Sequence, residues 1–586
     1  MENKLIPFLA MSMIVGVILC GTTPAQNKPK IAVFAGSNAT VQNSVPLVSS
    51  NKARAQHGLP LRTNPDGSPD RFDHLVPQRL AAPVEVLIEQ FSGHPLERDV
   101  AELYGPPDGY VDSKGRFHTT RQNPEDKPVY RVTLQPEDGL YLLPYMALQA
   151  DGTAWDAPCA FPNSPFEKCR QTFFPDPSRL FEEIDRGIGG KSGGGTANLL
   201  SSKADFDFFR ALPSGGYTKG LSHTDRTDVG SGGIEPETVG EDFFPYAPYR
   251  KDPRMEDLAK VTNTVQRALS TGDYVGAIWL ESSYNVAGTT YWLNLLIDTE
   301  LPISGNSSQR PHGIVGNDGD RNVIDSVDYI LSRIWANEEG KDDIGAVMLA
   351  AQQIFTAREV EKEDARPGGY RATGGHGGIL GTIGPPATIW FQPTSLHTWK
   401  SALNLTRLPS TVQGARKIDG QTRNVEVRIK DQEGFLLGDA IPKVTMVRYN
   451  RYVKDNALAK AEEEVEVSAR IEKNLRDRPL SGFVAEGMGG RVHEPLEAAL
   501  EIAALSGMPV VRVARGDEWT MVRPNLSNLT VEGNNLSPLK ARLLLMAALM
   551  KFGSPPVAAD PRNPTQAEKK AVQDKMNQYQ EVFNTH

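Results

Sequence analysis

Between residues 255 and 349, short apolar runs alternate with segments of helical spacing, and this rhythm constrains the fold more than any single residue does. Residues 255–269 place Leu258, Val261, Val265 and Leu269 at helical intervals, and residues 274–280 form a short apolar run. Residues 290–296 open a second helical segment, residues 322–335 put Val323, Val327, Ile330, Leu331 and Ile334 on one face, and residues 344–349 are again apolar. Alternation of this kind predicts a parallel sheet covered by helices on both faces. An isolated apolar run at residues 30–34 precedes it and ends in the small-residue turn Ala35-Gly36-Ser37-Asn38-Ala39, which reads as a buried first strand and a tight turn. A second, smaller α/β unit is expected from the runs at 443–447, 482–485 and 509–513 and a closing helix at 538–551. The predicted fold class is α/β, with two units whose parallel sheets are flanked by helices.

The stretch from about residue 45 to 245 breaks the pattern. It is rich in Pro, Gly and Asp and has little helical periodicity, so it reads as a loop-rich insertion in the N-terminal unit. Such insertions are tolerated because loop-closure entropy grows only logarithmically with length. Gly189-Gly190-Lys191-Ser192 hints at a phosphate loop, but no strand leads into it and the glycine spacing is wrong, which leaves a surface loop. Residues 392–440 read as a linker, and the charged stretch 457–477 as a solvated helix face. The expected organisation is therefore a leader at 1–25, an N-terminal domain at 26–391, the linker, and a C-terminal domain at 441–586. A net charge of −9 without a Lys/Arg block argues against a nucleic-acid partner.

Lys4, the apolar run at 5–20 and the small residues of Thr23-Pro24-Ala25 outline a secretory signal. The expectation is a periplasmic or secreted protein without stable membrane insertion after cleavage, an uncleaved anchor being the alternative. Beyond the leader the cysteines are Cys159 and Cys169. They fit either a short disulfide loop or two buried thiols, and with no nearby histidine they make a poor zinc site.

Four C-terminal segments occur in a telling order: Ile441-Pro442-Lys443-Val444-Thr445, then Gly482-Phe483-Val484-Ala485-Glu486-Gly487-Met488-Gly489-Gly490, then Gly507-Met508-Pro509-Val510, then Leu536-Ser537-Pro538-Leu539-Lys540-Ala541-Arg542. That order resembles the C-terminal half of the bacterial L-asparaginase/glutaminase family. The resemblance assigns Ser37 to the nucleophile position of the family's Thr-Gly-Gly-Thr-Ile-Ala turn, with Thr40 a nearby rival. A hydroxyl on a tight turn beside backbone N–H groups supplies an attacking oxygen and oxyanion donors. Thr289-Thr290-Tyr291-Trp292-Leu293-Asn294-Leu295 resembles the family's Thr-Ala-Tyr-Phe-Leu-Asn-Leu helix. This register puts Ser283 on the second catalytic threonine, Tyr284 on the aspartate of the His-Gly-Thr-Asp motif and Glu281 on its histidine. The hydroxyl is kept and the aspartate is lost.

Ala357-Arg358-Glu359-Val360-Glu361-Lys362 resembles the family's Ala-Arg-Asp-Val-x-Lys run and implies that Lys362 works with Ser283 as a dyad, with Glu281 a replacement carboxylate. A lysine acts as a base only when burial or positive charge lowers its pKa. Arg310-Pro311 with Asn317-Asp318-Gly319 resembles a further family segment and gives Asp318 a supporting role. The family's Ser-Gln clamp is missing from Tyr246-Ala247-Pro248-Tyr249-Arg250-Lys251-Asp252, and its glycine-rich Val-Gly-Asn-Gly-Asn is here Met488-Gly489-Gly490-Arg491-Val492. Arg250, Lys251 and Arg491 are candidate carboxylate binders, solvated basic side chains being the plainer reading. The resemblance implies catalytic Ser37, Ser283 and Lys362, and substrate contacts from Tyr284, Glu281 and Arg491. It implies hydrolysis of a side-chain amide, no metal or organic cofactor, and a homodimer or homotetramer. Two rivals stand beside it: a fold-retaining protein that binds without catalysis, and an amidase for a larger substrate.

Overall fold

The structure is a computed structural model. It describes residues 28–36, 254–310, 316–372, 378–448, 464–487, 494–514 and 528–586, with shorter segments between 48 and 245 and around 460 and 490.

The larger sheet is built from β1 (Lys30–Ala35), β2 (Asp205–Arg210), β3 (Gly276–Leu280), β4 (Ile303–Asn306), β5 (Val347–Ala350) and β6 (Gln353–Thr356). A small hairpin, β7 (Val360–Lys362) and β8 (Tyr370–Ala372), leads to β9 (Ile379–Thr382) and β10 (Thr388–Ile389). The order across the eight strands is β2-β1-β3-β4-β5-β6-β9-β10. Side chains alternate across it and sort the core into two layers. Ile31, Val33, Ile278 and Leu280 pack with Val323, Val327 and Ile330 of helix α3 (Gly319–Ser332). Ala32, Phe34, Ala277 and Trp279 face Val261 and Val265 of α1 (Asp257–Leu269) and Tyr291, Trp292 and Leu295 of α2 (Val286–Leu296). With helices on both faces, β3 is buried at every residue, which is why it reads as a continuous apolar run.

The sheet is mixed rather than wholly parallel. β2, β1, β3, β4 and β5 run parallel, whereas β6, β9 and β10 pair antiparallel. The cause lies at Ala351 and Gln352, whose φ angles of 50° and 64° reverse the chain in a two-residue turn. A parallel crossover needs a much longer connection. β2 comes from the stretch that reads as an insertion in the sequence. It pairs with β1 along its whole length, from Lys30↔Asp205 to Ala35↔Arg210, and Phe181, Ile184, Leu200 and Ala204 fill the core layer beside it. Other strands of that stretch form separate small sheets, including one of Val84–Ile88, Lys127–Leu134, Gly109–Val111 and Phe117–His118.

Residues 392–440 are not a plain linker. They hold a hairpin of β11 (Thr411–Ile418) and β12 (Gln421–Arg428), turned at Asp419-Gly420 with φ of 50° and 79°. The smaller unit is a parallel sheet of β13 (Lys443–Arg448), β14 (Ser481–Gly487), β15 (Val510–Ala514) and β16 (Val531–Glu532). Its helices are α4 (Val465–Asp477), α5 (Glu494–Leu505), α6 (Pro538–Phe552) and α7 (Gln566–Thr585). The charged α4 buries Val467, Ile471 and Leu475 on its inner side. One hydrophobic cluster runs from α1 and α2 through the hairpin into α6, so the two units share a core layer. Among the described residues, no helix is long and apolar enough to cross a membrane.

Candidate functional site

In open sheets, ligands gather outside the carboxyl ends of parallel strands. β1, β3 and β4 end level with one another, in the register Ala35↔Leu280 and Leu280↔Asn306. Two bonds continue the stitching past those ends: Gly36 N donates to Leu280 O at 2.7 Å, and Glu281 N donates to Asn306 O at 3.1 Å. Of the residues singled out from the sequence, Glu281, Ser283 and Tyr284 follow the end of β3 directly.

Ser37 lies one residue past Gly36 and outside the described residues, as do Thr40, Arg250, Lys251, Arg491, Cys159 and Cys169. Gly36 itself explains the small residue at the turn. A Cβ there would lie 2.6 Å from Trp279 Cζ2 and 3.1 Å from Glu281 Cγ, so only glycine permits this approach. Glu281 is buried, and its carboxylate accepts the Trp279 Nε1 hydrogen at 2.9 Å. The carboxylate is thereby fixed against the turn that leads to Ser37.

Ser283 sits where the chain turns from β3 into α2. Asn285 N and Val286 N both donate to Ser282 O at 3.0 Å, starting the helix directly after Tyr284. Ser283 is 1% exposed, and its Oγ has no hydrogen-bond partner among the described residues. A buried hydroxyl without a partner is unusual and calls for an explanation. Tyr284, at the position of the family's aspartate, is 81% exposed, so its ring is not packed into the site.

Lys362 ends β7, and its Nζ is likewise shielded and without a hydrogen-bond partner among the described residues. It lies 4.5 Å from the centre of the Tyr370 ring, because Lys362 and Tyr370 are directly opposed across the β7–β8 hairpin. Burial pulls the Lys362 amine below the usual lysine range, against the carboxylates of Asp318 and Asp364. Asp364 is itself held down to about 2, chiefly by its hydrogen bonds from Arg366. Asp318 accepts the backbone N–H of Gln309 at 3.0 Å and of Arg310 at 2.9 Å, and so shapes the loop after β4.

Tyr370 joins the parts. Its hydroxyl donates to Ser283 O at 3.4 Å and pairs with Ser307 Oγ at 2.7 Å, while its ring faces Lys362. Ser307 is in turn held by Asn322 Nδ2, which donates to Ser307 O at 2.9 Å. Neither Tyr370 nor Ser307 stands out from the sequence. The available signal was Pro367-Gly368-Gly369, a turn dipeptide and its glycine, which closes the hairpin and sets Tyr370 across from Lys362. The structure thus brings Ser283, Lys362, Tyr370, Ser307 and Asp318 into one connected group and sets Glu281 beside the Gly36 turn.

The site therefore holds a shielded hydroxyl at the end of β3 and a desolvated amine on the β7–β8 hairpin, both in contact with Tyr370. No family model matches the chain. L-asparaginase 2 of Bacillus subtilis (strain 168) is 23% identical over 375 residues, spanning 61% of this chain and 86% of that protein. Glutaminase-asparaginase of Acinetobacter glutaminasificans is 24% identical over 304 residues, spanning 51% of this chain and 77% of that one. A solved structure described as a probable cytoplasmic L-asparaginase from Campylobacter jejuni is 18% identical, with a TM-score of 0.42, and covers 66% of this chain and 92% of that one. The sequence similarity relates this α/β chain to the bacterial asparaginase/glutaminase superfamily.

Proposed function

We propose that the protein is an asparaginase-like amidohydrolase that cleaves a side-chain amide, of asparagine or a related compound, and releases ammonia. The observation that carries this reading is the pair of shielded groups, Ser283 Oγ and Lys362 Nζ, which have no hydrogen-bond partner among the described residues and belong to residues that both touch Tyr370, Ser283 through its backbone carbonyl and Lys362 over the ring. Idle buried polar atoms cost stability, and a site that must receive a substrate is a physical reason to keep them. In the proposed reaction Ser37 Oγ attacks the amide carbon and passes its proton to the neutral Lys362 amine through Ser283. The tetrahedral oxyanion is held by turn N–H groups near Gly36. The C–N bond then breaks as the proton returns to nitrogen, and ammonia leaves an acyl ester on Ser37. Water, deprotonated by the same amine, hydrolyses the ester to the carboxylate and restores the hydroxyl. Glu281 supplies the carboxylate next to the turn, Tyr284 reaches a substrate from the rim, and Arg491 binds its carboxylate. The protein acts after export and as a homodimer or homotetramer.

Tyr284 also supports turnover over a role in binding alone, since its ring does not plug the site. The test is ammonia release from asparagine, glutamine and short asparaginyl peptides by wild type, Ser37→Ala and Lys362→Met. Release abolished in Ser37→Ala and cut at least about a hundredfold in Lys362→Met supports the reading. Full activity in Ser37→Ala would move the nucleophile elsewhere, and no release from wild type on any amide would refute the amidase reading for these substrates.

A further inference from the structure

The motif Ser537-Pro538-Leu539-Lys540 opens α6 in the smaller unit, yet its polar side chains reach into the larger one. Ser537 Oγ donates to the Glu361 carboxylate. Arg358 Nη1 donates to Asn535 Oδ1 at 2.9 Å. Lys540 Nζ donates to Ala357 O at 2.7 Å, five residues before Lys362. The same Nζ donates to Ala287 O at 2.5 Å, in the first turn of α2 and four residues after Ser283. Lys540 is fully buried, with its ammonium 5.2 Å from the centre of the Tyr291 ring.

A lysine in an apolar layer is costly unless its charge is bonded. Leucine or methionine would fill the same space at less cost, and α6 is otherwise lined by Leu543, Leu544, Leu545 and Met546. What only the cation supplies is two directed bonds from one atom to two separate strands of backbone. Those two backbone segments are the ones that deliver Ser283 and Lys362.

Resting on the reading of that pair as working groups, we infer that Lys540 is a positioning residue: it sets the spacing of Ser283 and Lys362 and couples the site to the smaller unit. The Ser537–Glu361 and Arg358–Asn535 bonds tie the same segment to the start of α6. Charged donors hold carbonyls more strongly than neutral ones, so the clamp weakens when the amine loses its proton. Burial draws that amine down to about 8, opposed by the Glu361 and Glu359 carboxylates and reinforced by Arg358. On the α2 side, the group facing it is the neutral Tyr291 ring.

The test is competitive acetylation of lysines in the full chain, read peptide by peptide in the mass spectrometer across pH 6–11, for wild type, Lys540→Met and Ser537→Ala. In Lys540→Met the shielded Lys362 is expected to label severalfold faster and with a displaced midpoint, while exposed Lys570 on α7 is unchanged. The kcat for ammonia release is expected to fall about tenfold or more with KM within about twofold, since small misplacements of reacting groups act on the chemical step. Ser537→Ala is expected to shift Lys362 in the same direction by less. Folded Lys540→Met with wild-type Lys362 labelling overturns the inference, even if its thermal stability drops. If Lys540→Met fails to fold, unchanged Lys362 labelling in Ser537→Ala overturns it instead. Should wild type release no ammonia, the amidase reading fails alone, because the labelling still decides whether Lys540 holds Lys362.

Discussion

Replacing Gly36 by alanine tests the geometry on which the site is built. The new methyl carbon would meet Trp279 Cζ2 at 2.6 Å and both Trp279 Cε2 and Glu281 Cγ at 3.1 Å. Carbon atoms settle about 3.5–4 Å apart, so something must move by roughly 1 Å. The indole is fully buried and its N–H is committed to Glu281 at 2.9 Å. Moving the turn instead strains the 2.7 Å bond from Gly36 N to Leu280 O. Overpacking of this kind costs about 1–3 kcal/mol, equivalent to a fall in Tm of roughly 2–10 °C for a unit of this size. Ser37 follows the turn in the chain, so on the proposed reading ammonia release is expected to fall about tenfold or more at temperatures where the variant is fully folded. Gly384→Ala is the matched control. Nothing lies within 4 Å of its added carbon, and the extended backbone preferred before Pro385 suits alanine, so it is expected to be neutral or to gain up to about 1 kcal/mol. Calorimetry beside an ammonia assay reads both. Gly36→Ala melting with Gly384→Ala at the wild-type temperature would refute the close-packed turn.

At Tyr370, leucine removes the ring that faces Lys362, whereas phenylalanine removes only the hydroxyl. A desolvated cation–π contact is worth about 2 kcal/mol, so Tyr370→Leu is expected to lower the Lys362 midpoint and Tyr370→Phe to lower it much less. Equal shifts in a labelling titration would show that the ring is not what holds the ammonium. Because Lys362 titrates below its usual 10.5 in the folded protein, the unfolded chain binds more protons between those two values, and stability rises with pH across that window. Asp325 has the opposite sign. It is fully buried, touches the Arg321 guanidinium at 2.7 Å and is pushed up to about 6, mainly by burial. The native state therefore holds the extra proton between about 4 and about 6, and stability falls as pH rises through that range. Asp325→Asn is expected to flatten that slope in urea unfolding at pH 4.5 and 7.5, and an unchanged slope would exclude Asp325 as its source.

Much of the core was legible because apolar periodicity reports burial directly. The alternation of Ile31 and Val33 with Ala32 and Phe34 separates the two layers of the larger unit, and the helical spacing around Val323 marks α3. What failed did so for local reasons. α2 starts at Val286 rather than 290, with Asn285 at its N-cap position and Gly288 in its first turn, a residue that reads as a break in the sequence. The Ala351-Gln352 turn adopts positive φ without the glycine or asparagine that usually signals it. Asp419-Gly420 did carry that signal, inside a stretch whose mixed composition hid the hairpin. Ser283 and Lys362 were reachable through motif register, whereas Tyr370 becomes a neighbour of Lys362 only once the hairpin between them closes. The burial of Lys540 was invisible, since a lysine within a helical run ordinarily reads as a solvated side chain.

The placement of β1 has a consequence for how the chain is made. It lies between β2 and β3, so as the chain leaves the ribosome this strand finds neither neighbour until residue 210 has emerged and does not gain its second until residue 280. Both of its pairings are long-range, and such contacts slow folding because the connecting chain must be ordered first. An emerging N-terminal fragment therefore carries Ile31, Val33 and Phe34 without the sheet that buries them. A chaperone that shields this short apolar run during synthesis would act on the segment that later presents the Gly36 turn. Completion of the site is then one of the last events of folding rather than one of the first.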